Sequence, residues 1–238
     1  MKIALIGYGK MGKAIEEIAL QKGHEIVLKI DVSNAEEFNA ENIKKADVAI
    51  EFTGPHSALE NIKKCIAFGV PVVSGSTGWL EHWNEIEKAC KEQKGCLIYS
   101  SNYSIGVNLF FELNKYLAKL MDPYADYDVS MTEIHHTEKK DAPSGTAISL
   151  AEQIIANIGR KEHWINDKAA DSNQLHIHSE RIDPAPGTHQ VKYSSTIDDI
   201  EIIHTAHTRK GFASGAVLAA EFANKKSGIF TMKDVLGL

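Results

Sequence analysis

Cysteine is scarce: Cys65, Cys90 and Cys96 form an odd set of three with no CxxC spacing. This argues against a disulfide framework and against a sulfur-rich zinc site, leaving buried or reduced thiols as the expectation. No apolar run approaches membrane-spanning length, and the opening MKIALIG turns at Gly7 after too few apolar residues for a signal peptide. The cytoplasm is therefore the expected compartment. No long Lys/Arg run occurs and the net charge is -6, which argues against a nucleic-acid partner. Any cations that hold an anionic substrate must then be local. Low-complexity tracts and internal repeats are also missing. What remains is the composition of an ordinary soluble enzyme, with 238 residues for one large or two small domains.

Along the first hundred residues short apolar runs alternate with helical patterns. Strands are expected at Lys2 to Ile6, Ile26 to Ile30, Asp47 to Thr53, Val70 to Ser74 and Cys96 to Tyr99. Helices are expected at Lys13 to Gly23, His56 to Phe68 and Leu80 to Gln93. Such alternation predicts an α/β fold, a Rossmann-type doubly wound parallel sheet. After Asn102 the texture changes. A long amphipathic helix over Val107 to Leu120 precedes strands at Tyr127 to His135, Gln174 to Ile182, Gln190 to Ser195 and Ile200 to His207. Period-two alternation and the turn cluster at Asp183 to Gly187 predict a second α+β domain on an open mixed or antiparallel sheet. The expected division is 1–103 with 208–238 as the dinucleotide-binding domain, and 104–207 for substrate binding and oligomerisation.

Gly7-Tyr8-Gly9-Lys10-Met11-Gly12 fits GxGxxG between a strand and a helix. Glycine permits the tight turn, lets backbone approach a pyrophosphate and packs helix on strand, while helix N–H groups face the anion. Asp31 follows 19 residues after Gly12, at the end of the second strand, where a carboxylate accepts from ribose hydroxyls. That carboxylate repels a 2'-phosphate and favours NADH. Lys10 and Lys29 lie near enough in sequence to offset the repulsion, so NADPH stays open.

The segment from Glu133 to Thr146 packs His135, His136, Lys139 and Lys140 ahead of a helix start at Pro143, Ser144 and Gly145. Apolar residues at helical spacing then run to Ile158, with Gly159 as the stop. The N–H groups of Gly145 and Thr146, the helix dipole and the Thr146 hydroxyl suit a carboxylate. Reducing a polarised double bond needs hydride on one atom and a proton on its neighbour, and histidine and lysine are the residue types that deliver the proton.

The string HHTEKKDAPSGTA resembles the HHxxKxDAPSGTA signature of the dihydrodipicolinate reductase (4-hydroxy-tetrahydrodipicolinate reductase) family. Further family-like pieces are Phe52-Thr53, Gly75-Ser76-Thr77-Gly78, the run Ser100 to Asn108, and Arg209 with Phe212, Gly215 and Ala216. The resemblance implies that His135 takes or gives a proton, that Lys139 donates one, and that His136 touches the substrate while Gly145 and Thr146 hold its carboxylate. It places Gly75, Ser76, Thr77, Ser100, Ser101, Asn102 and Tyr103 along the nicotinamide, with Phe52, Thr53 and Arg209 also on the cofactor. It implies NADH or NADPH as cofactor, a small cyclic dicarboxylate as substrate, and a homotetramer assembled through the second-domain sheets. Three positions depart from the family pattern: the glycine loop is one residue shorter than GxxGxxG, Ser76 stands for the more usual threonine, and Asp183 replaces a glycine.

Other chemistries predict other residues. A metal site would draw on His176 and His178 on one strand face, or on His204 and His207 near Glu201, but no HExxH or matching carboxylate spacing occurs, and no functional metal is expected. A semialdehyde dehydrogenase would share the nucleotide loop but place a cysteine in a reactive setting. A dinucleotide-sensing module would have no use for HHxxK beside an anion-binding helix start.

Overall fold

The structure, a computed structural model, describes residues 1–166, 171–208 and 210–238. In chain order the elements begin with β1 (Lys2–Ile6), α1 (Lys10–Gln21), β2 (Glu25–Ile30), α2 (Ala40–Ile43), β3 (Val48–Glu51) and α3 (Ala58–Ala67). They continue through β4 (Val72–Ser74), α4 (Trp83–Gln93), β5 (Cys96–Tyr99) and α5 (Ile105–Met121). The rest are β6 (Asp128–His135), α6 (Gly145–Ile155), β7 (His163–Ile165), β8 (Gln174–Arg181), β9 (Thr188–Ser194), β10 (Asp199–Thr205), α7 (Lys210–Ala223), β11 (Gly228–Phe230) and α8 (Met232–Leu236). Contacts divide the chain into two compact units, one of Met1–Ile105 with Lys210–Leu238 and one of Gly106–Arg209.

The first unit holds a parallel six-stranded sheet in the order β11-β5-β4-β3-β1-β2. Its strands are apolar on both faces, as a sheet covered on both sides requires. Ile3, Leu5, Val48 and Ile50 face α1 and α7, while Ala4, Ile6, Ala49 and Val72 face α3 and α4. The strand order reverses beside β1, so the crevice that such sheets offer to nucleotides opens at the carboxyl ends of β1 and β3.

α1 begins three residues before the helix read from the sequence. Glycine is a poor helix former, but Gly12 sits within the first turn because a Cβ there would lie 2.4 Å from the Gly7 carbonyl oxygen. β11 and α8 escaped sequence reading because three and five residues are too few to show a period. All three cysteines are buried, and burial pushes the Cys90 and Cys96 thiols up to about 11.

The second unit holds a five-stranded mixed sheet, β10-β9-β6-β8-β7. β9 pairs antiparallel with β6 and β10, whereas β8 pairs parallel with β6 and β7. Alternation reveals which face of a strand is covered but not the direction of its neighbour, and here α6 carries the chain between parallel strands. Val129, Met131, Leu175, Ile177, Val191 and Tyr193 point into one core with α5 and α6. Leu150 and Ile154 of α6 are fully buried there, and truncating either to alanine costs about 2–5 kcal/mol.

Candidate active site

In the first unit the glycine loop closes onto the sheet. Gly7 has φ +95 and its N–H donates to the Ile30 carbonyl at 2.9 Å, and a Cβ there would meet the Phe52 carbonyl oxygen at 2.2 Å. Gly9 has the opposite surroundings: a Cβ would meet nothing within 4 Å. It is also the N-cap of α1 and provides no side-chain cap, which leaves the first-turn amides without a capping side chain. A cavity of about 520 Å³ begins at Gly7 and Gly9 and runs past Asp31, Phe52, Thr53 and Asn61. These residues fit a dinucleotide: backbone for the pyrophosphate, an exposed carboxylate for the ribose, and an apolar wall.

Asp31 braces its own turn, accepting from Val32 N at 2.8 Å. Lys29 is held by Glu16 at 2.9 Å, and Tyr8 donates to the same carboxylate. Lys29 is therefore tied back to α1, while Lys64, which the sequence reading passed over, lines the cavity with Asp31. Lys10 and Met11 open α1, and Lys10 is exposed.

At the ends of β3 and β4 lies a polar cluster built on Glu51, which is 0% exposed. It accepts from Thr53 N at 2.9 Å, Thr53 Oγ1 at 2.5 Å, Ser74 Oγ at 2.6 Å and Ser76 Oγ at 2.8 Å. Ser76 is buried, and Gly75 and exposed Thr77 flank it. Ser100 and Asn102 bond to one another across the turn after β5, and Ser101 is exposed. The Tyr103 side chain is inside the core. Its hydroxyl donates to the carbonyls of Ser74 and Ile98 at 2.8 and 3.0 Å, so it braces the strand ends. Burial, with the Glu51 charge second, raises that hydroxyl well above the ordinary tyrosine value. Arg209 lies outside the described residues.

In the second unit β6 alternates, and Val129, Met131, Glu133 and His135 are the buried set. Glu133 therefore enters the core with the apolar residues. Its Oε1 accepts from Arg181 Nη2 at 3.0 Å, and its Oε2 lies 3.0 Å from His135 Nδ1 and 4.0 Å from His189 Nε2. Burial opposes its ionisation, yet donors on His135, Ser144, Ser179 and Arg181 outweigh burial and hold the carboxyl well below the usual range. Burial, reinforced by His135, pushes His189 down to about 4.

Arg181 also donates to the carbonyls of Lys139, Glu180 and Asp141, at 3.3, 2.7 and 2.6 Å. It thereby fixes the loop on which Lys139 Nζ meets the Asp141 carboxylate at 2.8 and 2.9 Å. Ser144 caps α6 by accepting from Ala147 N at 3.2 Å, and its Oγ lies 3.1 Å from His189 Nε2. Gly145 is exposed at the helix start with open space where a Cβ would be, and Thr146 follows it. His136 lines a cavity of about 350 Å³ with Thr137, Glu138, Asp183 and Pro184. Asp183 has a definite task there: its carboxylate accepts from Thr137 N at 3.1 Å and Thr137 Oγ1 at 2.6 Å.

Sequence reading missed Glu51, Glu133, Arg181 and His189. The alternation of β6 signals the inward side of Glu133, but nothing local signals Arg181, which is 48 residues from its partner. Among the described residues Glu133, His135 and His189 bring potential metal ligands within 4.8 Å of one another, yet Arg181 already provides the neighbouring positive charge. His176 and His178 have ring centres 6.2 Å apart and His178 pairs with Glu180, while His204 lies against Phe110; neither belongs to that group.

Comparison with known proteins agrees with both halves. The family model described as dihydrodipicolinate reductase, N-terminus, matches residues 1–103, and the corresponding C-terminus model matches residues 106–236. The chain is 50% identical over 236 residues to 4-hydroxy-tetrahydrodipicolinate reductase of Christiangramia forsetii, covering 99% of this chain and 98% of that one. It is 36% identical to the enzyme of the same name from Methanosarcina barkeri, with full coverage of both chains. A dipicolinate-bound dihydrodipicolinate reductase from Paenisporosarcina sp. TG-14 has the same fold, with TM-score 0.78, 24% identity and 97% coverage of each chain. By both family models and full-length identity, the chain belongs to the dihydrodipicolinate reductase family.

Proposed function

We propose that the chain reduces 4-hydroxy-tetrahydrodipicolinate to tetrahydrodipicolinate with loss of water, using NADH or NADPH, in lysine and diaminopimelate synthesis. Family membership supports the reaction, and the Gly7 to Gly12 cradle with Asp31 supports the cofactor. When bound, the reduced nicotinamide supplies the hydride. The chain's own residues must then bind a dianion and deliver one proton. Gly145, Thr146 and the amino end of α6 hold one carboxylate, and His136 and Lys139 contact the remainder. His135 and Lys139 transfer the proton, and Glu133 and Arg181 hold both in place.

The observation that carries this reading is the ion pair of buried Glu133 with Arg181, which joins the His135 strand to the Lys139 loop at the start of α6. Calorimetry with planar pyridine-2,6-dicarboxylate tests it. Binding that competes with substrate and is lost in Lys139→Ala supports the dicarboxylate site, and no binding to the wild-type protein overturns it.

We place the enzyme in the cytoplasm as a homotetramer joined through the mixed sheets. Ile134 and Ile203 lie on the sheet side opposite the Met131 and Ile202 core, and Ile203 is 56% exposed. Sedimentation at several concentrations tests the assembly, and a monomer throughout would contradict it.

A further inference from the structure

We propose that Glu51 is a positioning residue whose buried charge favours the oxidised, cationic ring of the nicotinamide cofactor over the reduced, neutral one. This rests on the reading above that the nicotinamide half lies at the carboxyl ends of β3 and β4, the crevice where sheets of this order take dinucleotides.

A buried carboxylate normally has a cationic partner, as Glu133 has Arg181. Glu51 has none. All four of its donors are neutral hydroxyl or amide groups, and among the described residues no Lys, Arg or His nitrogen lies within the 4.0 Å of an ion pair. Hydrogen bonds can hold such an anion in place without cancelling its net charge, so its field reaches past the hydroxyls into the site.

Two consequences follow from the geometry. A carboxylate only accepts, so the hydroxyls of Thr53, Ser74 and Ser76 all donate toward it, and the orientation of the oxygens of Thr53, which lines the cofactor cavity, and Ser76 is fixed. Reduction of the substrate moves two electrons and one proton, as hydride, from the dihydronicotinamide to a substrate carbon. The ring is left cationic, and a second proton comes from the His135–Lys139 pair. Glu51 stabilises the charge that appears on that ring, and so lowers the barrier to hydride departure.

The test is Glu51→Gln in the full-length protein, titrated with NAD⁺ and with NADH by calorimetry. The expected result is a rise of roughly tenfold in the ratio of the NAD⁺ to the NADH dissociation constant, because charge is lost while shape is kept. A purely structural role would weaken both forms equally, and an equal loss or no change overturns the proposal. Should Glu51→Gln fail to fold, infrared difference spectra of ¹³C-glutamate-labelled wild-type protein provide a second arm. A carboxylate band that shifts between the NADH- and NAD⁺-bound states supports the proposal, and a protonated-acid band or no response overturns it. Thr53→Ala and Ser76→Ala separate the placement of the nicotinamide from the effect of the Glu51 charge. If neither alters the affinity for either cofactor form, the placement of the nicotinamide fails, and with it the proposal.

Discussion

Arg181 and Glu133 form an ion pair at 3.0 Å between two parallel neighbours, β8 and β6, and the same guanidinium holds the carbonyls of Lys139 and Asp141. A single residue thus ties the carboxylate next to His135 to the loop that presents Lys139. Removing one member of a buried pair leaves the other charged and desolvated.

Arg181→Met is accordingly expected to lower stability by about 3 kcal/mol. Urea unfolding measures the change, and turnover should fall further than the loss of folded protein explains, because the Lys139 loop loses its anchor. A native unfolding midpoint with full activity would show the pair to be dispensable.

Burial depresses the folded-state value of His189 to about 4, below the ordinary 6.5. The unfolded chain therefore binds its proton first, and the stability His189 contributes is present above about pH 6.5 and is lost as pH falls toward 4. The full span amounts to ~3 kcal/mol, part of it already gone by pH 5. Unfolding midpoints of wild type and His189→Gln at pH 7 and 5 measure it, with a flatter profile expected for the variant. Parallel profiles would contradict the assignment. Going no lower than pH 5 keeps Glu133, which acts at lower pH, out of the comparison.

Lys139→Ala and His135→Ala are each expected to reduce turnover by roughly two to four orders of magnitude. Their affinity for NADH should be unchanged, since both residues lie in the second unit. Near-normal turnover in either variant would remove its role.

Asp31→Ala is expected to move preference toward NADPH by roughly tenfold, the size of a ~1.4 kcal/mol charge effect near a surface. Lys29 is engaged with Glu16 and does little to oppose Asp31 in the wild type. Steady-state kinetics with both cofactors measures the shift, and a wild type that ignores NADH would show that another cation, Lys10 or Lys64, dominates.

Gly215→Ala is expected to destabilise the first unit by about 1–3 kcal/mol. The added methyl would lie 1.7 Å from the Tyr103 carbonyl oxygen, a contact that only backbone movement relieves. A variant as stable as wild type in thermal unfolding would refute that account.

What could be read from the chain follows from the range of the forces involved. The parallel sheet was legible because its strands bury both faces, Ile3 on one and Ala4 on the other, and so read as short continuous apolar runs, a local signal. Gly7, Asp31, His135 and Lys139 were legible because they sit in short motifs whose chemistry is local. Arg181 and His189 were not, since their value comes from a partner on another strand. The parallel pairing of β8 was hidden for the same reason. The burial of Tyr103 was not legible either: nothing in its motif signals that its hydroxyl reaches the backbone carbonyls of Ser74 and Ile98.

The reaction is tested by cofactor oxidation by the purified protein with freshly generated 4-hydroxy-tetrahydrodipicolinate. The expected result is consumption of NADH or NADPH that requires the substrate, matches it one for one, and yields tetrahydrodipicolinate. Failure to oxidise either cofactor, with wild-type protein shown to be folded and substrate shown to be fresh, would contradict it.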